Sequence, residues 1–107
     1  MEQLKVCLVR FPYTNLIDYK IRPSIIISND KFNETHNYFL WCPITSQKRQ
    51  NNQIKLNKDN FKGELKTESF INTDSIFGIE KDLFLKEIGS INQNTLEKIK
   101  HEIFKNI

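Results

Sequence analysis

Apolar residues in this chain come in short runs of strand type, cut apart by polar stretches, until residues 94–107 change to helical spacing. Lys5 to Phe11 alternates and is rich in Val and Leu, and Ser24 to Ser28 encloses three consecutive isoleucines. Tyr38 to Thr45 is aromatic-rich, Gln53 to Asn57 alternates briefly, and Ser69 to Thr73 and Glu87 to Ile91 are further short strand-like runs. Pro43 has no N–H to give a ladder, so it points to an edge or a bulge. Pro12 to Lys20, Asn29 to Asn37, Ser46 to Asn52 and Lys58 to Glu68 read as polar connections, with Gly63 marking a turn. Ile76 to Ile79 is an apolar patch interrupted by Gly78, and Lys81 to Phe84 reads as a helical turn. At the end, Asn94 with Glu97 three residues on forms a capping box, and Leu96, Ile99, Ile103 and Ile107 make one apolar stripe. Several short strands, one terminal helix and no long parallel crossover predict a mainly β fold with helices (α+β), a small curled sheet or barrel with the helix packed on it.

A chain of 107 residues predicts one domain, and 38% apolar with 27% charged residues fits a soluble one. No apolar run approaches the length of a membrane span, and no secretory pattern opens the chain, so a cytoplasmic location is expected. Cys7 and Cys42 both sit inside apolar runs and read as buried, inert thiols. No Cys/His cluster has the short spacing of a metal site, so no metal or other cofactor is expected. Charge is uneven. Residues 1–62 carry ten Lys/Arg against five Asp/Glu, and residues 63–107 carry six against eight. A polyanion would be drawn to the first part.

That part also holds the groups suited to a phosphate. Arg22, at the head of the isoleucine run, offers a forked guanidinium that matches phosphate geometry. Thr45 and Ser46, at the end of the aromatic run, offer hydroxyls that donate and accept. If the two runs are neighbouring strands, Arg22 and Thr45 face one phosphate. The plain alternatives are that Arg22 fastens its strand to a carboxylate such as Asp30, and that the two hydroxyls close a strand at a turn. Lys48 and Arg49 follow in an amide-rich loop, as phosphate grips or as a solvated face. Among aromatics, Tyr13 in its loop suits base stacking, while Phe11 and Trp41 suit core or dimer packing.

Four tracts in order resemble the MazF/PemK-type toxins of toxin–antitoxin systems. They are Leu8 to Leu16 with its Phe-Pro-Tyr-Thr-Asn turn, Arg22-Pro23 with Ile25 to Asp30, Pro43 to Gln47, and Leu65 to Asp74 followed by Ile88-Gly89. The resemblance runs over nearly the whole chain. It implies an SH3-like or CcdB-like curled barrel, a homodimer, an antitoxin partner, and metal-independent cleavage of single-stranded RNA. In that chemistry the 2′-hydroxyl attacks the adjacent phosphate, leaving a 2′,3′-cyclic phosphate and a 5′-hydroxyl. It puts Arg22 and Thr45 at the catalytic positions and aligns Asp74 with an acidic position that lines the site in some relatives, which makes Asp74 a third catalytic candidate, as base or base-reader. Ser46, Gln47, Tyr13 and Thr14 lie in the matched tracts and, with Lys48 and Arg49, complete the substrate-binding candidates. His36 and His101 are of the residue type most used as a general base, but lie in a polar connection and on the charged face of the helix. The chain departs from the family where Leu4-Lys5 replaces Gly-Asp, where Ile17 to Ile21 lacks glycine, and where Phe77-Gly78 replaces Arg-Thr. Two rivals share the fold: a gyrase-poisoning toxin and a non-catalytic RNA- or protein-binding barrel. The gyrase poisons use a Trp-Gly-Ile tail, whereas this chain ends Lys105-Asn106-Ile107.

Overall fold

The computed structural model describes residues 2–12 and 19–107. Along the chain the strands are β1 (Lys5–Pro12), β2 (Tyr19–Ile26), β3 (Tyr38–Thr45), β4 (Gln53–Lys55), β5 (Phe61–Gly63), β6 (Phe70–Asn72), β7 (Phe77–Glu80) and β8 (Phe84–Ile91). Helix α1 (Asp30–Thr35) lies between β2 and β3, a 3₁₀ turn (Lys81–Leu83) between β7 and β8, and helix α2 (Gln93–Lys105) ends the fold. All described strand pairs are antiparallel, in the order β4-β6-β3-β2-β1-β8-β5, with β7 also on β3. The sheet curls into a half-barrel, as the short runs predicted.

Period-two alternation sorts the side chains onto two faces. Val6, Ile25, Cys42, Ile44 and Ile71 form one buried cluster, closed by Leu96 and Ile99 of α2. Cys7, Val9, Ile26, Phe39, Trp41 and Ile79 form a second. Burying a side chain such as Leu96 or Ile99 contributes about 2 kcal/mol. Both cysteines are fully buried, and burial pushes their thiols up to about 12.

Several elements differ from the sequence-based expectation. Asn29 to Asn37 is not simply a connection. Asn29 caps α1 by accepting the Phe32 N–H at 2.8 Å, and Phe32 stacks on His36 at 3.8 Å. Asn92, not Asn94, caps α2, its Oδ1 accepting the Thr95 N–H at 2.8 Å. The stripe is buried at Leu96 and Ile99 and half-buried at Ile103, but Ile107 is exposed. Gly63 lies in β5, not in a turn. It pairs with Gly89 of β8 at φ +138°, and a Cβ there would run into the Ile88 carbonyl. Pro43 sits in the middle of the sheet, where its missing N–H is harmless. The Ile27 N–H bonds the Leu40 carbonyl, so by alternation the Ser24–Pro43 pair needs no bond toward β2. On the other side Pro43 falls between the β7 partners, Tyr38–Trp41, and the β6 partners, Ile44–Thr45.

Candidate nucleic-acid cleft

One sheet face runs from the second core cluster into an open cleft of about 410 Å³. Lys20 and Arg22 share their face with Ser24 and Ile26 on β2, and Pro43 and Thr45 share theirs with Trp41 on β3. Ladder pairing of β2 and β3 stops at Ser24–Pro43. Continued two residues, the same register sets Arg22 across from Thr45, and both line the cleft. Ser46 and Gln47 extend its rim beyond β3, while Asn72 and Ser75 line it from the β6 side. Phe11 and Phe77 form an aromatic wall, edge to face at 4.9 Å and 82°.

Electrostatically the cleft is one-sided. Lys20 and Arg22 are cationic, and among the described residues no lining side chain is acidic. Arg22 is half-buried and makes no ion pair with Asp30, whose Oδ1 instead accepts the Gln3 N–H at 3.2 Å. Thr45 Oγ1 accepts the Gln47 N–H at 3.2 Å, which leaves its own O–H to donate.

The remaining candidates divide. Asp74 and Arg49 sit outside the lining, bound to each other by two bonds, Nη2 to Oδ1 at 2.9 Å and Nη1 to Oδ2 at 3.3 Å. That hydrogen bonding is the main cause that holds the Asp74 carboxyl below its ordinary value. Asp74 faces a second hollow, with Thr73, Ile76 and Ile103, rather than the cleft. Arg49 also donates to the Asn52 carbonyl at 3.2 Å, so it braces the loop after β3 instead of offering a free cation. Lys48 is exposed and lies outside the lining. Tyr13 and Thr14 fall outside the described residues. His36 and His101 are exposed, and neither lines the cleft.

A family model of PemK-like, MazF-like toxins of type II toxin–antitoxin systems matches residues 2–106. The chain belongs to that family. A search of curated proteins gave no match. Among solved structures, one described as "Endoribonuclease in complex with its cognate antitoxin from Mycobacterial species" superposes with a TM-score of 0.79 at 17% identity, over 98% of this chain and 92% of that one. An "Endoribonuclease from Mycobacterial species" gives 0.77 at 16%, over 98% and 88%. "Mycobacterium tuberculosis toxin MazF-mt6" gives 0.72 at 18%, over 95% and 93%. At these identities the likeness is one of fold.

Within this toxin fold, the cleft uses Lys20, Asn72, Ser75 and Phe77, which the sequence does not mark as site groups, and Phe11, which it assigns to core or dimer packing ahead of base stacking. Alternation back from Arg22 was enough to find Lys20. No sequence signal joins Phe77 to Phe11. They meet because β7 crosses back onto β3, with Trp41 opposite Phe77. Trp41 is fully buried, as expected of a core residue, whereas Phe11 is half-buried in the cleft wall.

Proposed function

We propose that this protein is a metal-independent endoribonuclease toxin that cuts single-stranded RNA. The observation that carries the reading is Arg22 set across from Thr45 in a cleft whose described lining is cationic and not acidic, in a chain of this toxin family. The three solved relatives of this fold are described as endoribonucleases or as a MazF toxin. Transfer of the phosphoryl group concentrates negative charge on its oxygens, and donors already in place lower the barrier. Arg22 grips two of those oxygens, and Thr45 and Ser46 donate to a non-bridging one. The 2′-oxygen bonds to phosphorus as its proton passes to water, the P–O5′ bond breaks, and the 5′-oxygen takes up a proton from water. The products are a 2′,3′-cyclic phosphate and a 5′-hydroxyl. Asp74 acts in this reading from outside the cleft, by holding Arg49 and the loop after β3.

An acidic, partly disordered antitoxin would compete with RNA for the same charged face. One of the fold relatives is described in complex with its cognate antitoxin, which supports such a partner. The working form is a cytoplasmic homodimer.

The test is incubation of the purified protein with long single-stranded RNA in EDTA, beside Arg22→Ala, with product ends mapped. Cuts at a short motif bearing cyclic-phosphate and 5′-hydroxyl ends, slowed about 10²-fold or more in the variant, are expected. Intact RNA from the unaltered protein would leave a binding barrel without catalysis.

A further inference from the structure

The geometry points to Gln53 and Asn72 as a base-reading pair at the cleft wall, Gln53 positioning and Asn72 meeting the RNA. The inference rests on the ribonuclease reading. Gln53 of β4 stands opposite Asn72 of β6. Its amide is spent in three bonds. Nε2 donates to the Gln47 carbonyl at 2.9 Å and to Asn72 Oδ1 at 2.8 Å, and Oε1 accepts the Arg49 N–H at 2.8 Å. The two backbone partners fix which way the amide faces, because a carbonyl requires a donor and an N–H requires an acceptor. The second hydrogen of Nε2 then demands an acceptor from Asn72, and Oδ1 is the acceptor its side chain has. Asn72 is therefore turned with its oxygen on Gln53, and its NH₂ group, which bonds no other side chain or backbone group among the described residues, is left to the cleft it lines.

The surroundings suit a base. Phe77, 42% exposed, offers a stacking surface beside Asn72, with Phe11 against it. The phosphate-binding cations, Lys20 and Arg22, come from β2. An uncharged amide beside an aromatic wall suits a base edge better than a phosphate. Because Oδ1 is turned onto Gln53, Asn72 does not present the oxygen and NH₂ side by side as the paired contact to adenine requires. It presents its donor hydrogens to the cleft. It thus selects a base that projects an acceptor there, the keto oxygen of uracil or guanine, over one that projects an amino group.

Asn72→Asp keeps an oxygen on Gln53 and exchanges the donor in the cleft for an acceptor. Cut sites on a long mixed-sequence RNA are mapped for the unaltered protein, Asn72→Asp, Asn72→Ala, Gln53→Ala and the double alanine variant. One position of the cut motif should favour U or G in the unaltered protein. In Asn72→Ala that preference should fall by roughly five- to tenfold, and in Asn72→Asp it should turn toward C or A. Gln53→Ala should blur the same position, and the double variant no further than either single one. An unchanged motif, a uniform fall at every site, or additive losses would overturn the inference. Should Asn72→Asp fail to fold, the Asn72→Ala and Gln53→Ala maps decide, and a preference retained in both overturns the inference. If the unaltered protein cuts no RNA, the ribonuclease reading falls by itself. Binding of 2′-O-methyl oligouridylate and oligocytidylate then decides. A preference for the first that Asn72→Ala loses supports base reading, and equal binding or none overturns it.

Discussion

Two pairs of side chains show how local surroundings set chemistry at the scale of the residue. Arg49 lowers the Asp74 pKa chiefly through their hydrogen bonds, so the folded protein takes up that proton less readily than the unfolded chain. The contribution to stability is therefore full above the ordinary carboxylate range and is lost as pH falls through the lowered value. Both side chains are more than a third exposed, at 41% and 35%, so solvent holds the contribution to about 0.5 kcal/mol. Asp74→Asn should cost about that much near neutral pH, and the gap from the unaltered protein should close in acid, as read by urea unfolding across pH. The thiols of Cys7 and Cys42 behave in the opposite sense. With both raised to about 12, almost no thiolate exists at pH 8. Iodoacetamide should leave the folded protein unmodified for hours and label both residues once urea unfolds it. Labelling of the native protein at the rate of a free thiol would show that the strands open.

Among the elements, α2 shows what decides where a helix begins. Asn94 and Glu97 have the spacing of a capping box, yet the first turn starts two residues earlier. Asn92 directly follows β8, so its extended backbone continues the strand while its side chain closes the helix. It bonds both the N–H and the hydroxyl of Thr95, the latter at 2.6 Å, and Thr95 is itself buried. Asn92→Ala should cost about 1 kcal/mol of stability, while Asn94→Ala, on the exposed first turn, should cost nearly nothing. Thermal unfolding of the two variants checks it, and equal losses would return the cap to Asn94. Helix α1 was hidden for a related reason. Six residues cannot display two turns of apolar spacing, so Asp30–Thr35 looks like a polar loop. Its signals are the Asn29 cap and the buried Asn33, whose Nδ2 donates to the Ser28 carbonyl at 3.0 Å.

Across the whole molecule, the net charge of +3 is too small to predict an RNA partner, and placement matters more. Lys20 and Arg22 stand in one cleft, while Arg49 is neutralised by Asp74. Phosphate contacts of this kind release counterions, so RNA affinity should fall steeply with salt. Lys20→Ala should weaken binding of every sequence alike and reduce the log–log salt slope by about 0.7, the share of one phosphate on a single strand. Fluorescence polarisation across a salt series measures it. A slope that does not change would place Lys20 off the RNA path. Uniform weakening also sets Lys20 apart from Asn72, whose loss should alter sequence preference.

Much of this fold was legible in the order of short apolar runs. Runs of β-branched and aromatic residues too short for helices leave few choices but a small antiparallel sheet, and the 96–99–103 spacing marks one helix face whatever it packs on. That Arg22 and Thr45 would share one cleft was legible too, because each flanks an apolar run and the two runs pair as neighbouring strands. Tertiary structure alone decided which neighbours those groups would have. Gly63 reads as a turn because nothing local says that its backbone must lie against Gly89. Arg49 reads as an RNA grip or a solvated side chain because Asp74, twenty-five residues away, is unseen until β6 brings it alongside. Asn72 carries no signal in the sequence, since an amide has no fixed role until a partner takes one of its ends. Strand pairing supplies that partner in Gln53, and pairing is a property of the folded sheet rather than of any one segment.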